Sequence, residues 1–284
     1  MDAASAIGAG AHPSCKVSWR TSRRVFGGVS ALLFAASTGT AIVACTSMPA
    51  VGTLPMPGGW ALSMAWMRMC GQTWSGAVAS FLGMWVVMMA AMMLPSLLPV
   101  LWRYRRAIGD GGTGPYRQVA LLGAGYFAAW SALGLAVYPP GVALAALAMR
   151  LPVWARAVPV ATGVVVLAAG ALQFSAWKAR RLARCREEMP GRGRPLPAGA
   201  GIAWRHGLRC ICSCANLTAL LLAIGIMDLR AMAAVTVAIT LERVAPAGWC
   251  VARAIGAVAV GAGLVLIAQA AMPILPAIGG LVFH

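Results

Sequence analysis

Charge is what this chain has least of. Only 10% of its 284 residues are Asp, Glu, Lys or Arg, while 61% are hydrophobic and the mean hydropathy is +0.80. Soluble domains carry about 25% charged residues. A water-facing surface cannot be covered with so little, which excludes both a soluble globular enzyme and a disordered chain. Acidic residues are scarcer still, 6 against 23 Lys and Arg, for a net charge of +17. In a soluble protein that balance would point to nucleic acid. Here the basic residues sit in short stretches between apolar runs, so anionic headgroups and membrane topology account for them, and no nucleic-acid partner is expected. Histidine is also rare. Of the 3 present, His12 and His284 lie near the chain ends, so haem held by paired intramembrane histidines is not expected. The sequence has no HExxH, no GxxxxGK[ST] and no GxSxG, the usual marks of zinc protease, ATPase and serine hydrolase chemistry. Its 8 cysteines do not form a disulfide framework of the kind that staples small secreted domains.

What remains is a series of apolar runs long enough to cross a bilayer, about 20 residues each. They fall at 25–47, 77–101, 118–147, 158–177, 214–241 and 254–272. Helices satisfy their own backbone in lipid, and no barrel-like alternation is present. The expected fold is therefore all-α: a polytopic transmembrane bundle of about six spans. Residues 1–24 form a basic cytoplasmic segment and 25–284 the integral membrane domain. Counting Lys and Arg by loop puts 17 on one side and 5 on the other, with Arg230 inside a span. The positive-inside rule then places both termini in the cytoplasm, in a bacterial inner membrane. A competing reading treats the first run as a signal peptide, because Arg20–Arg24 precede it and Ile42-Val43-Ala44-Cys45 resembles a lipoprotein cleavage box. Two spans look irregular. Pro139-Pro140 should kink or end the third. The fifth carries Asp228 and Arg230 near its middle and should tilt, or break near Gly225. The Gly-, Pro- and Arg-rich stretch 190–201 reads as a flexible loop.

Three groups of residues could carry chemistry. Met84, Met88, Met89, Met92 and Met93 share one half of the second span, where Met84, Met88 and Met92 form a stripe. Methionine often does no more than fill irregular gaps. Thioethers are also soft, uncharged ligands that select Cu(I). The second group is His206, Cys210 and Cys214, spaced i, i+4, i+8 and so on one helical face. Imidazole and thiolates so placed can converge on a soft metal, while Cys212 points elsewhere. Buried cysteines acting as small hydrophobes are the plain alternative. Cys185, beyond Lys178, could complete that site. The third feature is Asp228, an ionisable residue placed where charge is costly, and suited to an ion pathway or to charge balance. Glu242 returns to the angle of His206, and Glu242-Arg243 reads as an interfacial pair.

These residues carry a resemblance. Met84-Trp85-Val86-Val87-Met88-Met89-Ala90-Ala91-Met92-Met93-Leu94-Pro95 is similar to a Met-rich, Pro-terminated helix. Gln173 to Lys178 leading to Cys185-Arg186 is a second match. His206-Gly207 through Cys210 and Cys214, then Gly225 to Leu229 and Met232-Ala233, closing at Glu242, is a third. Over residues 77–270 the chain resembles the bacterial predicted metal-binding integral membrane proteins, domain of unknown function 2182. It departs from them where Arg181 replaces a cysteine, where Ser213 precedes Cys214, and where Asp228 stands for the more usual Asn. The expected function is the handling of a soft transition metal, copper foremost, by a permease or metal-delivery factor rather than an enzyme. Met88, Met89, Met92, Met93, His206, Cys210, Cys214 and Cys185 would be its ligands. Expected partners are the lipid bilayer and a metallochaperone or a metalloenzyme under assembly. Two other readings stay open: a membrane thiol oxidoreductase using the cysteine cluster, and a structural or assembly subunit that binds no metal.

Overall fold

A computed structural model describes residues 13–51, 54–69, 71–108, 114–187 and 200–272. Residues 1–12 of the basic N-terminal segment, and all but the last two of the loop expected at 190–201, lie outside them. The described residues form eight α-helices: α1 (Pro13–Val51), α2 (Trp74–Ile108), α3 (Gly114–Arg150), α4 (Pro152–Leu172), α5 (Ala176–Glu187), α6 (Ala200–Ile224), α7 (Leu229–Val244) and α8 (Gly248–Ala271). Six of these, all but α5 and α7, contain stretches long and apolar enough to cross a membrane. A short antiparallel hairpin, β1 (Leu54–Met56) and β2 (Trp60–Leu62), follows α1 and is fixed to α4 where Trp60 Nε1 donates to the Ala155 carbonyl at 2.8 Å.

The sequence reading needs two corrections in its elements. α3 does not end at Pro139-Pro140 but continues through both to Arg150. The run at 214–241 is two helices, broken near Gly225 as one of the two expectations had it, but with a different start. α6 starts earlier, at Ala200, and stops at Ile224. Gly225 then turns with φ +137°, a conformation that a side chain would strain. Asp228 starts α7 by accepting hydrogen bonds from the backbone of Arg230 and Ala231 at 2.8 and 3.0 Å. Asp228 is thus an exposed helix cap and not a mid-span charge.

This break changes the chain's direction. Helices α1 and α2 are antiparallel, with Phe26 against Trp102 at one end and Cys45 near Met84 at the other. α3 and α6 run parallel: Tyr126 meets Cys210, and Gly207 lets the α3 backbone approach so closely that a Cβ there would lie 3.0 Å from the Tyr126 carbonyl. α4 and α8 are antiparallel along their length, with Gly163 facing Ile267 and Gly170 facing Val260. α7 runs beside α2 in the same sense, since Met232 shares a cavity with Met88 and Arg243 reaches Ser96. α7 therefore returns the chain to the end from which α6 set out, and α8 leaves it again. The described chain begins and ends at opposite ends of the bundle. α7 was merged into the run at 214–241 because its 16 residues, roughly 24 Å at 1.5 Å per residue, fall short of a full apolar span of their own.

Most of the core lies between α2, α3, α6 and α7. Trp85 is wholly buried, donates from Nε1 to the Trp130 carbonyl at 2.9 Å and packs against Gly134, which locks α2 to α3. Large apolar side chains instead cover the outside, including Leu32, Leu144, Val153 and Val258, all more than 60% exposed.

Candidate metal centre

The thioether row faces inward. Met88, Met89, Met92 and Met93 are all buried, and Met84 is partly so. They belong to one continuous cluster that also holds Cys45, Cys210, Cys214 and Met232. A helix turns 100° per residue, so five methionines within ten positions cover half its circumference. α2 packs against α1, α3 and α7.

Cys210 and Cys214 lie one turn apart on the buried face of α6, and Cys212 points away and is only partly covered. Tyr126 Oη and Cys210 Sγ share a hydrogen bond of 2.9 Å. Ser213 Oγ donates to the Cys210 carbonyl at 2.8 Å and lies 3.7 Å from Cys214 Sγ. Cys185, from α5, donates to Ser213 Oγ and to the Arg209 carbonyl, both at 3.5 Å. It therefore comes to the edge of the Cys210–Cys214 pair through Ser213. His206 is buried with its ring 6.0 Å from that of Tyr126. Among the described residues no three His, Cys, Asp or Glu side chains form a group that could hold a metal ion. His206, Cys185, Cys210 and Cys214 thus do not close on one point. The grouping at hand is a cysteine pair beside methionines.

Charge is arranged around this pair. Lys178 and Glu242 are 0% and 2% exposed and meet at 2.7 Å. Gln173 Nε2 donates to the other Glu242 oxygen at 2.7 Å, and Lys178 also donates to the Ser213 carbonyl at 2.7 Å. These bonds hold the buried ion pair, which needs such partners to persist, while Gln173 Oε1 is buried without a hydrogen-bond partner among the described residues. Arg243 is separate from it. Its guanidinium donates to Ser96 Oγ at 3.1 Å and to Cys185 Sγ at 3.7 Å, and it lies within electrostatic reach of Cys210 and Cys214. Glu242 and Arg243, expected as an interfacial pair, instead face different partners in the interior. With Lys178 and Glu242 cancelling, Arg243 leaves one positive charge beside the two thiols. One Cu(I) bound by two thiolates carries one negative charge, so the guanidinium makes the whole assembly neutral. Zinc(II) in the same place would leave it positive. The donor set and the charge both fit a soft monovalent metal.

Sequence reasoning missed Arg243, Tyr126 and Ser213 as neighbours of the thiols. An Arg directly after a Glu at a helix end gave no signal of where it points. Cys45, Met227 and Met232 were missed as well. Cys45 Sγ lies 3.8 Å from Met227 Sδ across 182 residues of sequence, a proximity no spacing rule foresees.

The described residues thus form an all-α bundle whose thiols and thioethers are buried in one cluster. The model of the copper chaperone family PpoB2 matches residues 82–266, well over half of the chain. The chain belongs to that copper chaperone family. No curated protein and no solved structure matches it.

Proposed function

We propose that this protein carries Cu(I) through the inner membrane, from the cytoplasmic face toward a copper-requiring partner. Copper is its cargo. Cys210 and Cys214 would take up the ion near one end of the bundle, with Arg243 balancing the thiolates. Met93, Met92, Met89 and Met88 would pass it along α2, exchanging one thioether for the next without any change of charge. The observation that carries this reading is the burial of four methionines, on two successive turns of α2, in the same core as the cysteine pair. Membership of a copper chaperone family supports copper over other soft metals. The partners in this reading are a metallochaperone that delivers the ion or a metalloenzyme under assembly that receives it.

The membrane assignment rests on the six apolar helices and their exposed aliphatic surface. With α7 as an added pass, Arg243 and Arg253 join the basic end and Arg230 joins the other. Nineteen of the 23 Lys and Arg then belong to one side by connectivity, a stronger bias than six spans produce. In this topology the N-terminus is cytoplasmic and the end of α8 is not. A reporter fused after Ala271, fluorescent only in the cytoplasm, stays dark if this is right and lights up if both ends share a side.

Purified full-length protein, with copper and zinc measured by mass spectrometry, tests the function. Wild type should retain copper and Cys210→Ser/Cys214→Ser should retain less. Equal content would overturn the role of the pair. The oxidoreductase reading needs accessible thiols, and of its cluster Cys210 and Cys214 are at most 2% exposed while Cys212 is partly exposed.

A further inference from the structure

At the opposite end of the thioether row from Cys210 and Cys214, a cavity of about 160 Å³ opens between α1, α2 and the α6–α7 turn. Five sulfur-bearing side chains line it: Cys45, Met84, Met88, Met227 and Met232. They come from α1, from two successive turns of α2, from the turn after Gly225 and from the first turn of α7. Cys45 Sγ already contacts Met227 Sδ at 3.8 Å. Thr40, also in the wall, donates its hydroxyl proton to the Ala36 carbonyl at 2.8 Å.

We infer that this cavity is a second Cu(I) site, where the ion rests before leaving the bundle on the side away from the basic residues. It rests on the copper-passage reading above and adds to it a named exit station. Four points lead here. First, methionines that merely pack close up space, because protein interiors are dense and Met adapts to gaps. These surround an opening many times the roughly 10–15 Å³ that one water needs. Second, no charged side chain lines the cavity. Binding of Cu(I) releases the Cys45 thiol proton to solvent and forms one sulfur–copper bond, with the copper oxidation state unchanged. The resulting thiolate–Cu(I) unit is neutral, whereas a divalent ion would leave a net charge among apolar walls. Third, thioethers from the other four residues complete a soft donor set that discriminates against hard cations. Fourth, Met88 belongs both to the cavity wall and to the buried row that leads to the cysteine pair. About 12 Å along α2 separates Met88 from Ser96, where Arg243 and the inner thiols begin.

Cys45 also lies outside residues 82–266, the part of the chain that the family model matches. In this reading α1 supplies a ligand from outside the matched region, in addition to any anchoring role.

The test uses full-length protein in detergent, loaded anaerobically with Cu(I) and titrated with a Cu(I) chelator. Copper per protein is read by mass spectrometry and its ligands by X-ray absorption. Wild type should hold two equivalents, both with sulfur ligands. Cys45→Ser/Met227→Leu should lose one of them, and Cys210→Ser/Cys214→Ser the other. Met84→Leu/Met232→Leu keeps the volume and thermal stability of the wall while removing two donors; it should weaken the outer site at least tenfold. Full copper retention in both outer-site variants would overturn this inference and leave the inner pair intact. Wild type without Cu(I) would overturn the passage reading together with it.

Discussion

Toward the basic end of the bundle, Cys185, Cys210 and Cys214 share their surroundings with Lys178, Glu242 and Arg243. Toward the other end, Cys45 and four methionines line a cavity without a charged wall. Both regions are rich in sulfur, yet they treat charge in opposite ways. A pair of thiolates needs a counter-charge when buried, and Arg243 provides one. A lone thiolate with thioethers reaches neutrality through the metal alone. The contrast makes the inner region costly to disturb and the outer region tolerant, and each prediction below presses on that difference.

The largest effect is expected at Glu242. Glu242→Ala leaves Lys178 wholly buried and without its carboxylate. Breaking such a pair from one side costs about 3–5 kcal/mol. Thermal unfolding in detergent should show a severe loss, or no folded protein at all. Lys178→Met/Glu242→Leu removes both charges and should recover most of it. Cys45→Ala in the outer wall should cost about 1 kcal/mol, the size of an ordinary point substitution. A mild Glu242→Ala would erase the contrast.

Arg243 comes next, and here the readout is affinity. Arg243→Met removes the counter-charge and should weaken Cu(I) at the cysteine pair by about tenfold to a hundredfold, or roughly 1.4–2.8 kcal/mol. Arg243→Lys should restore part of it. Chelator competition measures both. If lysine and methionine behave alike, the guanidinium serves packing and its contacts to Ser96 and Cys185, not charge.

Between the two regions lies the row itself. Met92→Leu/Met93→Leu conserves volume and should cost under about 1.5 kcal/mol of stability. Copper content at equilibrium should remain, because both terminal sites persist. The rate at which Cu(I) crosses a proteoliposome membrane should drop severalfold. Unchanged rates would mean that the ion moves by another path.

The sequence made the helices legible because hydropathy is additive along a run, and lipid demands that it be so. It exposed the Met row for the same reason: residues on one helix have fixed angular relations, so Met88 and Met92 share a face wherever α2 packs. The break at Gly225 was foreseen as one option, since glycine and a helix-capping Asp stand three residues apart. Its consequence for chain direction was not, because α7 is too short to register as a span. Nor could spacing pair Cys45 with Met227, or turn Arg243 away from Glu242 toward Ser96. Those relations depend on how separate helices dock, through close glycine contacts such as Gly170 against α8 and Gly207 against α3.

Asp228 allows the finest distinction, because its sequence context suggested an ion pathway while its geometry is that of a cap. It sits one residue after Met227, which lines the outer cavity. Asp228→Ala removes the cap and should cost about 1 kcal/mol, seen as a small drop in melting temperature. Asp228→Asn keeps an oxygen for the Arg230 and Ala231 amides, and Asn caps as well as Asp. It should therefore melt like wild type. Copper passage should also be unchanged in Asp228→Asn, because sulfur and not carboxylate holds the ion on this side. Slower passage with an unaltered melting temperature would show the opposite: a hard, charged oxygen would then take part in release, and the outer region would be no more free of charge than the inner one.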